Sequence, residues 1–181
     1  MHRNIMKAFE EVQGETARKD LKVLYRIMEE DSDTVVYIQS EATPDWGDIA
    51  KGYINCGVKD ISPVVDNLKE GYQYQFSLMC MPSKKINRGG KNSQRTLLKT
   101  EDERLNWLKS KGVQFGFNII WCNEKLQQTQ FLNRGGKWMF GSVEFRGVLK
   151  VTNKDNFTKA YREGIGPEKA YGMGMLLLSR A

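Results

Sequence analysis

Four glycines lie within eleven residues near the C terminus, and an apolar run at 175–178 follows them directly. Glycine tolerates positive φ and lets the backbone approach a neighbouring group closely, so this segment restricts the fold more than any other. We call residues 164–174 the glycine-rich loop. The loop contains Lys169, and a glycine-rich backbone with a nearby cation is one way to hold a phosphate. The alternative is a tight turn that leads into the last strand of a sheet.

Positive charge is concentrated in one part of the chain. There are 28 Lys and Arg against 22 Asp and Glu, a formal net charge of +6. Residues 83–95, which we call the basic segment, hold five cations and no acid: Lys84, Lys85, Arg88, Lys91 and Arg95. A second basic turn is Arg134-Gly135-Gly136-Lys137. This distribution is compatible with a polyanionic partner, although a solvated loop and a plain β-turn remain open as alternatives.

The three cysteines favour neither a zinc site nor a disulfide framework, because they are far apart, odd in number and form no Cys-x-x-Cys pair. We expect no metal and no other cofactor. Cys80 and Cys122 stand in apolar runs and are predicted to be core residues, and the tryptophans at 46, 107, 121 and 138 are assigned to packing. No stretch reaches the roughly 18 to 20 apolar residues of a membrane span, and nothing resembles a signal peptide, so the predicted location is the cytoplasm.

Local patterns predict helices and strands in alternation. Apolar spacing predicts a helix over 2–12, and β-rich runs at 23–28 and 34–39 predict a hairpin. A strand is predicted over 72–81. Thr100 and Glu103 form a capping box that opens a helix ending at Gly112. Three strands are predicted next, over 114–122, 126–133 and 138–151. They are followed by a helix that Asn153 or Asp155 caps and that ends at the glycine-rich loop, and then by a terminal strand.

This order predicts an α+β protein of two tandem ferredoxin-like (RRM-like) domains, each a β-α-β-β-α-β unit. We expect residues 1–85 to form the first domain and residues 86–181 the second. The first domain begins on a helix and has no opening strand in its pattern. Because that strand would be central in such a unit, about 20 residues, the length of a strand and a turn, are expected upstream of the first methionine.

Five blocks of residues, in the same order along the chain, resemble one family: 2–9, 24–46, 81–84, 145–152 and 164–174. The family is CasE, the CRISPR repeat-processing endoribonuclease of type I-E systems and a subunit of the Cascade complex. The resemblance implies tandem ferredoxin-like domains. It also implies metal-independent cleavage of precursor CRISPR RNA at the base of the repeat hairpin. In that reaction the adjacent 2′-hydroxyl attacks, a 2′,3′-cyclic phosphate is left, and the hairpin product is retained by the protein as a Cascade subunit.

The family's first-helix motif carries its catalytic histidine, and the matching residue here is His2, which is the only histidine in the chain. Imidazole can give or take a proton near neutral pH, as RNA transesterification requires. Lys7 lies on the same predicted helix and could stabilise the charge of the transition state. The alternatives are a frayed terminus for His2 and a solvated surface lysine for Lys7.

The predicted RNA contacts lie in three elements that could grip the phosphates of a hairpin. They are the basic segment, the second basic turn and the glycine-rich loop, with these candidate residues: Lys84, Lys85, Arg88, Lys91, Arg95, Arg134, Lys137, Gly164, Gly166 and Lys169. Two other functions remain open. One is a module that binds hairpin RNA without cutting it, and the other is an unrelated basic ferredoxin-like protein that binds a protein partner.

Overall fold

The computed structural model describes the backbone of residues 2–9, 17–30, 33–47, 56–86, 94–133 and 136–181. Side chains are described for the same residues apart from 2, 30, 86, 94, 128–133 and 136–140. The first part of the chain forms these elements: α1 (His2–Lys7), α2 (Ala17–Asp20), β1 (Leu24–Glu30), β2 (Asp33–Gln39) and α3 (Ser62–Asp66). The rest forms these: β3 (Gln73–Cys80), β4 (Ser83–Ile86), β5 (Gln94–Leu97), α4 (Glu101–Phe115), β6 (Phe117–Asn133), β7 (Gly136–Val151), α5 (Lys154–Glu163), a 3₁₀ turn (Lys169–Tyr171) and β8 (Leu176–Arg180).

Four strands form one antiparallel sheet in the order β6-β7-β3-β8. Helices α4 and α5 cover one face of this sheet, where Leu108 and Phe157 are fully buried among the strand residues. In chain order the elements read β3-α4-β6-β7-α5-β8, with the strand pair β4–β5 inserted before α4. This order and this pairing are those of a ferredoxin-like unit. The prediction of a ferredoxin-like unit in the second half of the chain is therefore confirmed.

The strand pairing does not follow the boundary that we expected after residue 85. The strand predicted over 72–81 falls within the expected first domain. In the structure this strand, β3, pairs with β7 and β8 in the centre of the second unit's sheet. A central strand must be covered on both edges, and sequence periodicity alone does not show which strands supply that cover. The pairing places β3 in the sheet of the second unit, and the domain boundary itself stays a prediction.

Two predictions between residues 100 and 151 are corrected by the structure. The capping box at Thr100 and Glu103 is present, but α4 continues to Phe115. Gly112 is packed inside the helix, and Gly116, with φ of 72°, ends it in the left-handed region that glycine favours. The three strands predicted next are two long ones, since β6 runs without interruption for 17 residues. Polar residues inside β6 resemble a break in the sequence because only one face of the strand is covered.

A β-bulge changes the direction of one tryptophan. Strand β6 has a register shift between Ile119 and Trp121. An extra residue at this point reverses which side chains face the helices, because side chains alternate along a strand. Ile119 therefore packs against the core, whereas Trp121 is 54% exposed. The assignment of Trp121 to packing is wrong for this reason, while Trp107 does pack against the core and Trp138 lies outside the described side chains.

The first part of the chain forms a smaller unit around β1. Strands β1 and β2 pair in register from Leu24 opposite Gln39 to Glu30 opposite Asp33, which confirms the predicted hairpin. Helix α1 packs on this hairpin through a second apolar cluster, formed by Ile5, Ala8, Phe9, Val23 and Tyr25. The described helix covers only the first half of the predicted one, and residues 10–16 lie outside the described residues.

A buried ion pair connects the smaller unit to the four-stranded sheet. Arg26 on β1 is 2% exposed and bonds through its guanidinium to the Glu144 carboxylate on β7 and to the Ser77 hydroxyl on β3. Glu144 is 5% exposed and also accepts from Ser77 at 3.0 Å and from Arg146 at 2.7 Å. Burial alone would raise the pKa of Glu144, but the hydrogen bonds and positive charges of its partners outweigh burial and hold this pKa below its usual value.

We predict that Glu144→Gln lowers the free energy of unfolding by about 3 kcal/mol, because it leaves the Arg26 charge buried without its counter-charge. Chemical denaturation followed by circular dichroism would measure this change. The exposed pair of Lys22 and Glu41 supplies the control, and Glu41→Gln should cost less than about 1 kcal/mol. A double variant with Arg26→Met and Glu144→Leu should recover most of the loss. If Glu144→Gln and Glu41→Gln lower the free energy of unfolding equally, this account of the buried pair is wrong.

The same pair predicts a pH dependence of stability. The folded-state pKa of Glu144 lies below its ordinary value of 4.5. Its contribution is therefore complete above that pH and is lost as the pH falls through the folded-state pKa. The difference in unfolding free energy between the wild type and Glu144→Gln should be constant at neutral pH and should shrink below about pH 4.5. If this difference in unfolding free energy grows as the pH falls, the predicted direction of the pH dependence is wrong.

Candidate active site and nucleic-acid interface

Helix α1 carries both predicted catalytic residues. His2 begins the helix and Lys7 ends it. The helix is fixed by its buried face and by Asp45, whose backbone N–H donates to the Ala8 carbonyl at 2.9 Å. The Lys7 side chain is exposed, and the His2 side chain lies outside the described side chains. The catalytic roles of His2 and Lys7, and the distance between them, therefore stay predictions.

The glycine-rich loop lies directly against β1. A Cβ at Gly164 would stand 2.8 Å from a methyl group of Leu24, and one at Gly172 would stand 3.0 Å from the Tyr25 ring. Both glycines have positive φ, at 78° and 82°. The Tyr25 hydroxyl donates to the Ala170 carbonyl at 2.8 Å. The close approach that glycine permits here is thus an approach to the protein's own strand.

The remaining glycines of the loop also support packing. Gly166, with φ of 90°, would place a Cβ 3.1 Å from the ring of Trp107 on α4. Gly174 accepts from the Ile165 N–H at 2.8 Å and donates its own N–H to the Met79 carbonyl at 2.7 Å. These contacts hold the loop between β1, α4 and the end of β3. They account for the glycines structurally, so contacts of Gly164 and Gly166 with RNA stay predictions.

Lys169, the loop's candidate cation, is half-buried in a positively charged surrounding. Burial lowers its pKa, and the nearby charge of Arg18 on α2 lowers it further, as Lys111 on α4 does to a smaller extent. The acid Glu163 opposes these effects. Positive charges from α2 and α4 therefore act on Lys169, beside the strand on which α1 packs. An anion bound there would relieve their mutual repulsion.

Sequence reasoning did not identify Arg18 and Lys111 as partners of Lys169. Arg18 follows residues 10–16 in a stretch of mixed charge, and Lys111 lies near the end of α4 beside Trp107. No local pattern marks either residue. The charges of these two residues act on Lys169 because α2 leads into β1 and because the glycine-rich loop is seated between β1 and α4.

Tyr25 connects α1 with the glycine-rich loop. Its ring belongs to the cluster that holds α1, and its hydroxyl bonds to the loop. Burial, together with the neighbouring Tyr171, raises the pKa of Tyr25 to about 12, so the hydroxyl keeps its proton at neutral pH. A proton on this oxygen is what the bond to the Ala170 carbonyl requires. Tyr25 therefore holds helix and loop together and does not act as a base near neutral pH.

The ends of the basic segment form the antiparallel strand pair β4–β5. Lys84 lies opposite Thr96 and Lys85 opposite Arg95, and all three cations are exposed. Side chains directly opposite in such a pair share a face, so Lys85 and Arg95 repel each other until an anion neutralises them. Lys84 forms an exposed ion pair with Glu103 at 3.4 Å. Arg88 and Lys91 fall in 87–93, which lies outside the described residues.

A buried arginine anchors the base of this strand pair. Arg104 on α4 is 4% exposed and forms an ion pair with Glu124 on β6. It also donates to the Leu98 carbonyl at 3.2 Å and the Lys99 carbonyl at 2.6 Å, just after β5. The hydrogen bonds to Glu124 raise the pKa of Arg104. Sequence reasoning missed this residue, which looks like one more exposed charge in an acidic first turn.

The second basic turn is tested only in part. Arg134 lies outside the described residues, and of Lys137 the structure describes the backbone alone, in β7. The turn does join two long paired strands, because Asn133 stands opposite Gly136. Contacts of Arg134 and Lys137 with RNA therefore stay predictions.

Among the described residues, no group of three or more His, Cys, Asp or Glu side chains is placed to hold a metal ion. Cys80 is buried in the core and Cys122 packs against it, as predicted. Burial raises the pKa of both thiols, which disfavours the thiolate form that binds metals. The described part of the chain also contains no helix long and apolar enough to span a membrane.

Comparison with known proteins shows a family. The family model described as CRISPR associated protein matches residues 1–180. The chain is 31% identical over 157 residues to the CRISPR-associated endoribonuclease Cse3 of Thermus thermophilus, covering 78% of this chain and 71% of that one.

Two solved structures show how far the fold is shared. One is Thermus thermophilus Cse3 bound to an RNA representing a pre-cleavage complex, with a TM-score of 0.82, 27% identity, and coverage of 99% of this chain and 87% of that one. The other is a chain of a CRISPR RNA-guided surveillance complex in a pre-nicking state, with a TM-score of 0.71, 23% identity, and coverage of 88% of this chain and 77% of that one. At this identity the similarity shows a shared fold and nothing more. The shared fold confirms the α+β prediction of tandem ferredoxin-like units. The chain belongs to the CRISPR-associated protein family and, within it, to the CasE (Cse3) proteins of type I-E systems.

Proposed function

We propose that this protein is a metal-independent endoribonuclease that binds the repeat hairpin of precursor CRISPR RNA and cuts at its base. One observation carries the proposal. The helix that begins with the chain's single histidine packs on the same residue, Tyr25, that holds the glycine-rich loop and its Lys169. The helix that carries a proton-transfer group and the loop that carries a cation thus both contact strand β1. The chain is also similar to Cse3, which is named an endoribonuclease.

The proposed chemistry is attack by a 2′-hydroxyl on the neighbouring phosphate, which leaves a 2′,3′-cyclic phosphate and a 5′-hydroxyl. His2 takes one of the two proton-transfer roles, as base or as acid. Lys7, five residues further along α1, places a positive charge on the same helix to stabilise the extra negative charge of the transition state. No metal is required in this scheme, because the attacking hydroxyl belongs to the substrate itself.

Two positively charged regions supply the affinity. The first is the exposed set of Lys84, Lys85 and Arg95 on β4–β5, which Arg104 fixes to the sheet. The second is the cluster of Arg18, Lys111 and Lys169 beside the glycine-rich loop. Double-stranded RNA is recognised mainly by its shape and its phosphates, since side chains cannot read its deep, narrow major groove. Cations on separate elements of a rigid fold suit that mode of binding.

We further propose that the protein keeps the cleaved hairpin and assembles with other Cascade subunits in the cytoplasm. Membership of the CasE group supports this proposal. General acid–base help from a single histidine contributes about 10² to 10⁴ in rate, which suits an enzyme that cuts once and then stays bound.

We predict that His2→Ala reduces the rate of cleavage of repeat RNA by about 10² to 10⁴ and leaves hairpin affinity unchanged, because the change removes a proton-transfer group and no phosphate contact. Gel assays in EDTA, with matched binding titrations, would measure both quantities. The same RNA with one 2′-deoxy nucleotide at the scissile position is the substrate control and should stay uncut. Binding without any cleavage by the wild type would favour a non-cleaving hairpin-binding module. A loss of binding together with cleavage would show that His2 is structural.

We also predict that combined Lys84→Gln, Lys85→Gln and Arg95→Gln weakens hairpin binding and reduces the slope of log affinity against log salt by about 2 to 3, as expected for three lost phosphate contacts. The matched control removes three exposed lysines elsewhere, with Lys59→Gln, Lys69→Gln and Lys159→Gln, and changes net charge equally. Equal slopes for the two triple variants would show that β4–β5 acts through overall charge only. Fluorescence anisotropy at several salt concentrations would measure the slopes.

A further inference from the structure

The described residues cover only part of the face of the four-stranded sheet that lies opposite α4 and α5. Strand β1 crosses part of it, with Arg26 bonded to Glu144 and Ser77. Beside this crossing a groove of about 440 Å³ remains open, between Met28 of β1 and the surface of all four strands. The groove belongs neither to α1 nor to the basic segment.

Strand register shows which side chains form the floor of the groove. Residues directly opposite in neighbouring antiparallel strands share a face. One row across the sheet is Trp121, Val148, Gln75 and Ser179, and the next is Asn123, Arg146, Ser77 and Leu177. Trp121 is in this row only because of the bulge that precedes it. An exposed tryptophan therefore stands beside an arginine whose side chain is 64% exposed.

The open face is positively charged. Lys125 and Lys150 lie on it together with Arg146, because they stand opposite Glu144 and Gln73 respectively. The one acid that the register places on this face, among the described residues, is Glu144. That carboxylate is buried and already binds Arg26, Ser77 and Arg146. Exposed amides and hydroxyls also lie on this face, as in Gln75 and Ser179.

These features match single-stranded RNA better than a protein segment. The ring of Trp121 offers a surface on which an unpaired base can stack, and stacking tolerates any base. Arg146 lies one row away and can neutralise a phosphate, and Gln75 can bond to a base edge. A protein partner would favour an apolar centre depleted of charge, and the charges of Arg146 and Lys150 do not suit such a centre. A double helix is excluded from stacking because its bases are already stacked.

We propose that this groove binds the single-stranded RNA next to the repeat hairpin, with a base stacked on Trp121 and the adjoining phosphate at Arg146. The inference rests on the proposed function, because the hairpin is what would deliver that strand to the groove. It adds a second RNA site that directs the path of the strand away from the hairpin. The hairpin contacts of β4–β5 do not include it.

The test compares three RNAs: the hairpin alone, the hairpin with a single-stranded tail of about eight nucleotides, and the tail alone. Titrations use the wild type, Trp121→Ala, the conservative Trp121→Phe, and Tyr72→Ala as a control at another aromatic that is 58% exposed. We expect the tail to raise affinity at least about fivefold, the change expected for one stacked base. Trp121→Ala should remove this gain, Trp121→Phe should keep most of it, and Tyr72→Ala should keep all of it. Affinity for the hairpin alone should be equal in all four proteins.

The outcomes separate this site from the proposed function. A gain that persists in Trp121→Ala, or no gain while the hairpin still binds, overturns the groove and leaves the proposed function standing. If the hairpin is not bound, the proposed function is wrong, and the titration with the tail alone then tests the groove. Binding of the tail that depends on Trp121 supports the groove as an RNA site, and no binding of the tail overturns it. If Trp121→Ala spares every RNA but releases the protein from purified Cascade subunits, the groove is a protein-docking surface and the proposal is wrong.

A measurement on the wild type covers the case in which Trp121→Ala does not fold. A tail carrying 4-thiouridine is irradiated with the protein, and the cross-linked peptide is identified by mass spectrometry. We expect the cross-link in the β6 peptide that contains Trp121. Cross-links confined to the basic segment, 83–95, would contradict the proposal.

Discussion

The buried ion pair of Arg26 and Glu144 is the contact on which the arrangement of this protein depends. Neighbouring residues of a strand point to opposite sides. On β1, therefore, the Arg26 side chain bonds to residues of the four-stranded sheet, while the Tyr25 side chain faces α1 and the glycine-rich loop. A charge buried this deeply tolerates little displacement from its partner. The pair thus fixes the position of the smaller unit, with His2 on its first helix, relative to the loop and its cations.

The glycine-rich loop shows how one pattern can serve structure and function together. Its glycines allow contact with Leu24, Tyr25 and Trp107, so the motif is needed for packing whether or not RNA is present. The same packing places Lys169 where the charges of Arg18 and Lys111 lower its pKa. A tightly seated loop loses little further conformational entropy when it binds a ligand, which makes such a loop a suitable support for a phosphate site.

Local signals succeeded where neighbouring residues decide the outcome. The capping box of α4 and the β1–β2 hairpin depend on contacts within a few residues, and both are confirmed. Predictions that depend on distant partners did worse. The end of α4 depends on how Gly112 and Gly116 pack, the joining of two predicted strands into β6 depends on β7 alongside, and the exposure of Trp121 depends on a bulge. The candidate site divides in the same way. Clustered or motif-borne cations such as Lys84, Lys85 and Lys169 can be found in the sequence, whereas Arg18, Lys111 and Arg104 are found only in the structure.

By itself the sequence determined the family, the α+β class, the ferredoxin-like order of elements, and the identity of the single histidine and the main cations. Motif order and periodicity carry that information because they depend on the chain alone. Only the tertiary structure decided that β3 belongs to the second unit's sheet and that Arg26 and Glu144 join the units. It also decided that the described residues leave one face of the sheet open beside β1. Each of these depends on pairing between residues far apart in the chain, and the energy of such pairing comes from burial and register, which no local pattern records.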